Sequence, residues 1–136
     1  MKKLFFLFLI MPFFAAAQNK LLVEGVSPGL YLTHKVAPKE NYYSIGRIYN
    51  VSPKDIAPFN KLQLEKGLSL GQTIKIPLNS SNFFQSGNAA GDETFVPVYY
   101  KIKDKEGLYR VAKNHNDLPL QTLKQWNNIT GDAVKN

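Results

Sequence analysis

A chain of 136 residues has room for one ordinary domain or two very small ones, and with no cysteine it has neither disulfides nor thiolate metal sites to brace them. Any small unit must therefore fold on packing alone, which is hard below about 40 residues. Seventeen basic residues against ten acidic ones give a formal charge of +7, scattered along the chain rather than clustered.

The first residues read as an export signal. Lys2 and Lys3 precede an apolar run, Leu4 to Phe14, interrupted only by Pro12, and Ala15-Ala16-Ala17 offers the small-residue pattern that a signal peptidase cuts. The run is too short for the roughly 20 apolar residues that a membrane span needs. Residues 1–17 are thus expected to leave, with Gln18 first in a mature chain bound for the periplasm or the extracellular cell envelope. No cysteine exists to carry a lipid, so no stable membrane anchor is expected after cleavage. The mature chain keeps 15 basic and 10 acidic residues, a net of +5. That charge fits a solvated basic surface equally with attraction to anionic envelope polymers. Nucleic acid is a poor partner for an exported protein.

Leu21-Leu22-Val23 is a β-prone run in an N-terminal extension, residues 18–33, and is expected to add an edge strand; Ser27-Pro28-Gly29 then turns the chain. Leu30 to Val36 reads as a strand ended by Pro38. Tyr42, Ile45, Ile48 and Tyr49 fall on one helical face, and Asn50 suits the left-handed position after a helix. Ser52-Pro53-Lys54-Asp55 restarts the chain as a second short helix, with Ser52 as cap and Pro53 in the first turn. Ile56 and Phe59 share a face of that helix, and Asn60 ends it. Gly67 and Gly71 bracket a turn into a second strand, Gln72 to Pro77, with Ile74 and Ile76 on one side. The order is strand, helix, helix, strand, with the two strands adjacent and antiparallel, and with Ile45, Tyr49, Ile56, Phe59, Ile74 and Ile76 buried together.

Residues 79–97 are rich in Ser, Asn and Gly in their first part and read as a flexible linker, with Phe83-Phe84 expected to fold back onto a neighbouring unit. Structure resumes as a strand over Val98 to Lys103, a helix over Leu108 to His115 and another over Leu120 to Trp126. The halves repeat one another. His34-Lys35-Val36 and Glu40-Asn41-Tyr42-Tyr43-Ser44-Ile45-Gly46 parallel Tyr100-Lys101-Ile102 and Glu106-Gly107-Leu108-Tyr109-Arg110-Val111-Ala112. Ile56-Ala57-Pro58-Phe59-Asn60 parallels Leu123-Lys124-Gln125-Trp126-Asn127, once one extra residue near Asp117 is allowed for.

These motifs, in this order and begun twice, resemble the LysM family. Its pattern opens on a strand with His or Tyr two before Val, here His34 and Val36. A Gly-Asp-Thr-Leu loop follows, here Lys39-Glu40-Asn41-Tyr42, then Ser44-Ile45-Gly46 on the first helix and Phe59-Asn60 ending the second. Gly71-Gln72 and Ile76-Pro77 close it. The resemblance implies an α+β protein: a small βααβ LysM module over residues 34–78, a linker, and a second, C-terminally incomplete LysM-like module over residues 98–136. In the first copy Gly71 stands eleven residues after Asn60; the same offset from Asn127 passes Asn136. The second copy is accordingly expected to be truncated, or to borrow a strand from a neighbour.

The resemblance further implies non-catalytic binding of N-acetylglucosamine-containing glycans, peptidoglycan or chitin, in a shallow groove between two loops. Carried over by position, the groove is Pro38, Lys39, Glu40, Asn41 and Tyr42 against Asn60, Lys61, Leu62, Gln63 and Leu64. Backbone groups of the loops would bond acetamide and hydroxyls while apolar side chains cover the sugar face. Tyr42 doubles as a core candidate, as do Phe59 and Trp126, and Asn60 and Asn127 as partners of local backbone. Asn41 and Gln63, placed on loops, should tolerate alanine with little change in melting temperature. Lys39 stands where the family has Gly, a residue suited to positive φ.

The enzyme class finds little support. A glycan hydrolase needs two carboxylates across a cleft; Glu40 and Asp55 are the only pair to nominate. There is no Cys for a Cys-His amidase, and His34 with Glu40 makes two ligands where zinc usually takes three or four. No cofactor or metal is implied. The remaining alternatives are a module that holds a protein partner in the envelope, or the targeting part of a longer cell-wall hydrolase.

Overall fold

The computed structural model describes residues 20–85 and 95–131. The expected export signal, the Gly-rich middle of the linker and the last five residues lie outside the described residues.

The first repeat is a βααβ unit. Strand β2 (Tyr31–Lys35) pairs antiparallel with β3 (Thr73–Pro77), in a register that sets Leu32 against Ile76 and His34 against Ile74. Because side chains alternate along a strand, these four share one face, while Tyr31, Thr33, Lys35 and Lys75 take the other. Helices α1 (Tyr42–Tyr49) and α2 (Pro53–Phe59) close over that face. Ile45, Ile56 and Ile76 are fully buried and Ile74 nearly so, joined by Leu30, Leu32, Val36, Tyr42, Val51, Ala57 and Leu78.

The helix ends follow the residues that cap them. Asn41 accepts from Ser44 N–H at 2.9 Å while Ser44 Oγ accepts from Asn41 N–H at 2.9 Å, a reciprocal box that satisfies two donors at the first turn. Asn50 ends α1 in the left-handed region at φ 49°, as its residue type allows. Ser52 caps α2 with Pro53 in its first turn. One element escaped the sequence reading: a single 3-10 turn, Leu64–Lys66, whose polar, aperiodic residues carry no helical stripe.

Four expectations about the first core and the short strands are corrected. Tyr49 is only half-buried, because its hydroxyl reaches His34. Phe59 is half-buried as well and lies outside the main core, its ring 6.2 Å from that of Tyr31. The N-terminal strand, β1 (Leu21–Leu22), adds no ladder to the β2–β3 sheet. It pairs in parallel with β4 (Val98–Tyr99), and the chain just after it forms one antiparallel bridge to β2, between Glu24 and Tyr31. Strand β4 itself is two residues long rather than six, because β1 offers only two residues of edge and Tyr100 to Lys103 meet no strand among the described residues.

The second repeat continues with α3 (Leu108–Asn114) and α4 (Leu120–Trp126). Its packing is thinner. Leu108, Val111, Ala112, His115 and Leu118 are buried, but α4 buries no residue, and Trp126 stands 57 % exposed where a core aromatic was expected.

The start of the linker is tied at both ends. Asn79 and Asn82 organise a turn in which Ser81 and Asn50 exchange two hydrogen bonds, at 2.7 and 3.0 Å, and Phe83 packs against the first core. Phe84 does not follow it inward; it stacks on Phe95 at 5.5 Å and stays half exposed. Gln85 Nε2 then donates to His115 O at 2.8 Å, and Ser27 N–H donates to Asn114 O at 2.9 Å. Residues on both sides of the first repeat thus hold the second against it, beside an open groove of about 1440 Å³ whose walls include Ile48, Phe84, Tyr99 and Trp126.

Candidate functional site

Two loops carry all the residues the sequence nominated, and both are moored to the β2–β3 sheet. The first, before α1, is held by Glu40. Its Oε2 accepts from Ala37 N–H at 2.8 Å and lies 2.8 Å from His34 Nε2, while His34 Nδ1 lies 2.9 Å from the Tyr49 hydroxyl. With Glu40 ionised, His34 Nε2–H donates to the carboxylate; in the neutral ring Nδ1 then accepts from the Tyr49 hydroxyl, and in the protonated ring Nδ1–H donates to it. The Ala37 N–H, then the His34 bond and charge, hold the Glu40 carboxyl below the usual carboxylate range against the opposing effect of burial.

The second loop, after α2, is held by Asn60. Its Nδ2 donates to Ile56 O at 2.8 Å and to Lys75 O at 2.7 Å, and its Oδ1 accepts from Lys75 N–H at 2.7 Å. One amide thereby satisfies both backbone groups of Lys75, on the outer edge of β3. Since His34 and Ile74 are cross-strand partners and Lys75 follows Ile74, the two moorings lie next to each other on the sheet.

The nominated residues divide into two groups. Glu40, Asn41 and Asn60 have their side chains committed to loop, cap and strand. Tyr42 is buried at 4 % exposure, so its ring belongs to the core; its hydroxyl has no partner among the described residues, and burial pushes its pKa up. Leu62 is half-buried against the core. Pro38, Lys39, Lys61, Gln63 and Leu64 remain at the surface, and the Lys39, Gln63 and Leu64 N–H groups donate to no described backbone acceptor. Lys39 keeps a φ of 68°, so the loop takes the left-handed shape without the glycine.

The second repeat rebuilds the first mooring with its parts exchanged. Tyr100, at the position of His34, donates to Glu106 Oε2 at 2.8 Å, and Lys103 N–H donates to the same oxygen at 3.1 Å. His115, at the position of Tyr49, meets the Tyr100 ring edge-on at 4.4 Å. Burial, then the bond to and the charge of Glu106, push the Tyr100 hydroxyl up to about 12. Burial pushes Glu106 upward, but the Lys103 N–H and the Tyr100 hydroxyl outweigh it and hold the carboxyl low. His–Tyr in one copy and Tyr–His in the other, each closing on a glutamate, was a signal present in the repeat alignment that reading single motifs missed. Asn127 likewise repeats half of Asn60, donating to Leu123 O at 2.9 Å.

A depressed Glu40 pKa has a directional consequence. A carboxyl held low in the folded state stabilises its loop above the ordinary glutamate pKa, and that contribution is lost as pH falls through the depressed value. The Ala37 amide resonance is therefore expected to titrate with a midpoint below that of an exposed glutamate. A midpoint at or above the ordinary value would show that the Ala37–Glu40 bond does not hold the loop.

Among the described residues, no group of three or more His, Cys, Asp or Glu could hold a metal ion, and no helix is long and apolar enough to cross a membrane. Glu40 is spent on its loop, and Asp55 stands exposed in the first turn of α2. A shallow surface between two moored loops, on a unit of about 45 residues, defines a small binding module. The family model of the LysM domain matches residues 34–77 and 100–135, more than half of the chain, and the chain belongs to the LysM family, with two modules. LysM domains in general bind peptidoglycan or chitin. No solved structure matches the chain.

Proposed function

We propose that this is an exported, non-catalytic protein of the bacterial cell envelope that binds N-acetylglucosamine-containing glycan chains, peptidoglycan first, through the loop pair of its first LysM module. The observation that carries the reading is the pair of adjacent moorings, Glu40 to His34 and Asn60 to Lys75, which fix both loop backbones while leaving donors free at Lys39, Gln63 and Leu64. With Glu40, Asn41 and Asn60 committed elsewhere, recognition falls to those backbone groups, to the Gln63 amide, and to the apolar surface of Pro38, Leu62 and Leu64. Preorganised backbone groups bond acetamide and hydroxyl oxygens at little ordering cost.

The test is retention of the full chain by insoluble peptidoglycan, with a free N-acetylglucosamine oligomer as competitor. Gln63 is exposed and makes no side-chain bond, so Gln63→Ala is expected to weaken binding several-fold and leave the melting temperature within about 1 °C, as a free surface position should. Asn41→Ala is not an equivalent probe, contrary to the reading of Asn41 as a free loop residue. It removes a helix cap at a cost of about 1 kcal/mol. A chain that the polymer does not retain, or a Gln63→Ala variant with unchanged affinity, would count against the assignment. The alternative, a protein partner in the envelope, draws on the apolar groove between the modules. Retention by envelope material that the oligomer leaves untouched would favour it.

A further inference from the structure

Seven described residues other than glycine adopt positive φ. Four are Asn50, Asn116, Asp117 and Asn128, the residue types whose short polar side chains tolerate the left-handed region. The other three are lysines: Lys39 at 68°, Lys61 at 56° and Lys105 at 60°. Lysine has no such tolerance, and glycine would sit there without strain.

The positions of the three are not scattered. Lys39 and Lys61 lie one on each loop of the candidate site, and Lys105 is the counterpart of Lys39 in the second module. All three are exposed, and none of their ammonium groups makes a hydrogen bond, ion pair or ring contact with any described residue. The one carboxylate adjacent to Lys39, Glu40, is turned inward to His34 and Ala37. Glu65 stands beyond Leu64 on the second loop, but Lys66 follows it directly. The loop pair therefore presents two unneutralised ammonium groups, each at a backbone position that favours another residue.

We infer that these lysines are recognition groups for carboxylates on the bound glycan. The inference rests on the glycan-binding reading above and deepens it. The preferred ligand is an anionic strand, peptidoglycan whose muramyl lactyl groups carry free or peptide carboxylates, over a neutral polymer of N-acetylglucosamine. Neutral sugar needs only the backbone donors and the apolar surface. A carboxylate set beside the sugar gives each lysine a partner.

Binding of the full chain is measured by calorimetry at low and at moderate salt, to a neutral N-acetylglucosamine tetramer, to a disaccharide-tetrapeptide fragment of peptidoglycan, and to the same fragment with its carboxylates amidated. The carboxylate fragment is expected to bind about tenfold more tightly than the neutral tetramer at low salt, the scale of two exposed ion pairs. The preference should shrink as salt rises and vanish on amidation. In the triple variant Lys39→Gly, Lys61→Gly, Lys105→Gly the ratio of the two affinities is expected to fall close to one, and the melting temperature not to fall, since glycine is at home at these angles. Lys54→Gln, which removes one charge from the first turn of α2, should keep the ratio and so separate local contact from net charge. Inorganic phosphate distinguishes the source of the anion: displacement of the carboxylate fragment by millimolar phosphate, with no preference for the free over the amidated fragment, would overturn a carboxylate site. Equal affinity of the wild-type chain for neutral and carboxylate fragments overturns the inference and leaves glycan binding standing. Failure to bind any of the three overturns the glycan-binding reading itself.

Discussion

Ile76→Ala is expected to cost the first module about 3 kcal/mol, the middle of the range for truncating a fully buried aliphatic side chain. Ile76 is fully buried, lies opposite Leu32 in the sheet, and sits under both helices with Ile45 and Ile56. In so small a unit each kcal/mol shifts the melting temperature by roughly 4 to 8 °C, so a loss of more than about 10 °C is expected. A truncation in the second module, Leu123→Ala at the position of the fully buried Ile56, should cost about 1 kcal/mol, since Leu123 is only partly buried on a helix that buries no residue. The chain carries its single tryptophan, Trp126, in the second module, so its fluorescence follows that unit while amide resonances follow the first. Similar losses for the two variants would contradict the uneven packing seen between the modules.

The parts of the fold that were legible in the sequence are those fixed by local chemistry. Ser52-Pro53 and Asn50 announced the break between α1 and α2, and the alternation around Ile74 and Ile76 announced the buried face of β3, because capping and pleating act within a few residues. Length and partner of a strand are decided elsewhere in the chain. Tyr100 to Lys103 carries the same pattern as His34 to Val36 and still forms no ladder, and Leu21-Leu22 pairs across 77 positions with Val98-Tyr99. Nothing in either segment alone states its partner. The candidate site was legible in the same uneven way. The ten nominated positions do form two loops on one sheet, but side-chain roles within them were not readable. Asn60 reaches Lys75 and Glu40 reaches His34 only because the fold brings them within bonding distance. Reading the two repeats against each other exposes more: an exchange of His and Tyr between paired positions implies contact, and a glutamate kept in both copies implies a shared partner.

The extra residue between the helices of the second module leads to the last expectation, that Gly46→Ala destabilises the first module by about 2 kcal/mol and that inserting one residue after Asn50 restores most of the loss. A Cβ at Gly46 would meet Val51 O at 2.5 Å and Pro53 Cδ at 3.3 Å. Val51 O is backbone, held in place by Val51 N–H donating to Gly46 O at 2.9 Å, so it has no side-chain freedom with which to yield. Overpacking of this kind costs about 1 to 3 kcal/mol, and the gain of alanine over glycine in a helix, about 1 kcal/mol, offsets only part of it where the clash is with backbone. The second module shows the alternative solution. Ala112 occupies the position of Gly46 and is buried, and the chain after His115 spends two left-handed residues, Asn116 and Asp117, where the first module spends Asn50 alone. The carbonyl is still used, by Leu118 N–H at 3.1 Å, so the longer connection keeps the helix-ending bond while lifting the chain clear of the methyl group. Methyl and extra residue are therefore coupled. Gly46→Ala with an Asp inserted between Asn50 and Val51 should recover at least half of the loss, and deletion of Asp117 should be tolerated far better beside Ala112→Gly than alone. Thermal melts of the four chains decide it: if Gly46→Ala alone melts with the wild type, or the insertion deepens the loss, the two features are independent and the close approach of Val51 O to α1 is not what requires glycine there.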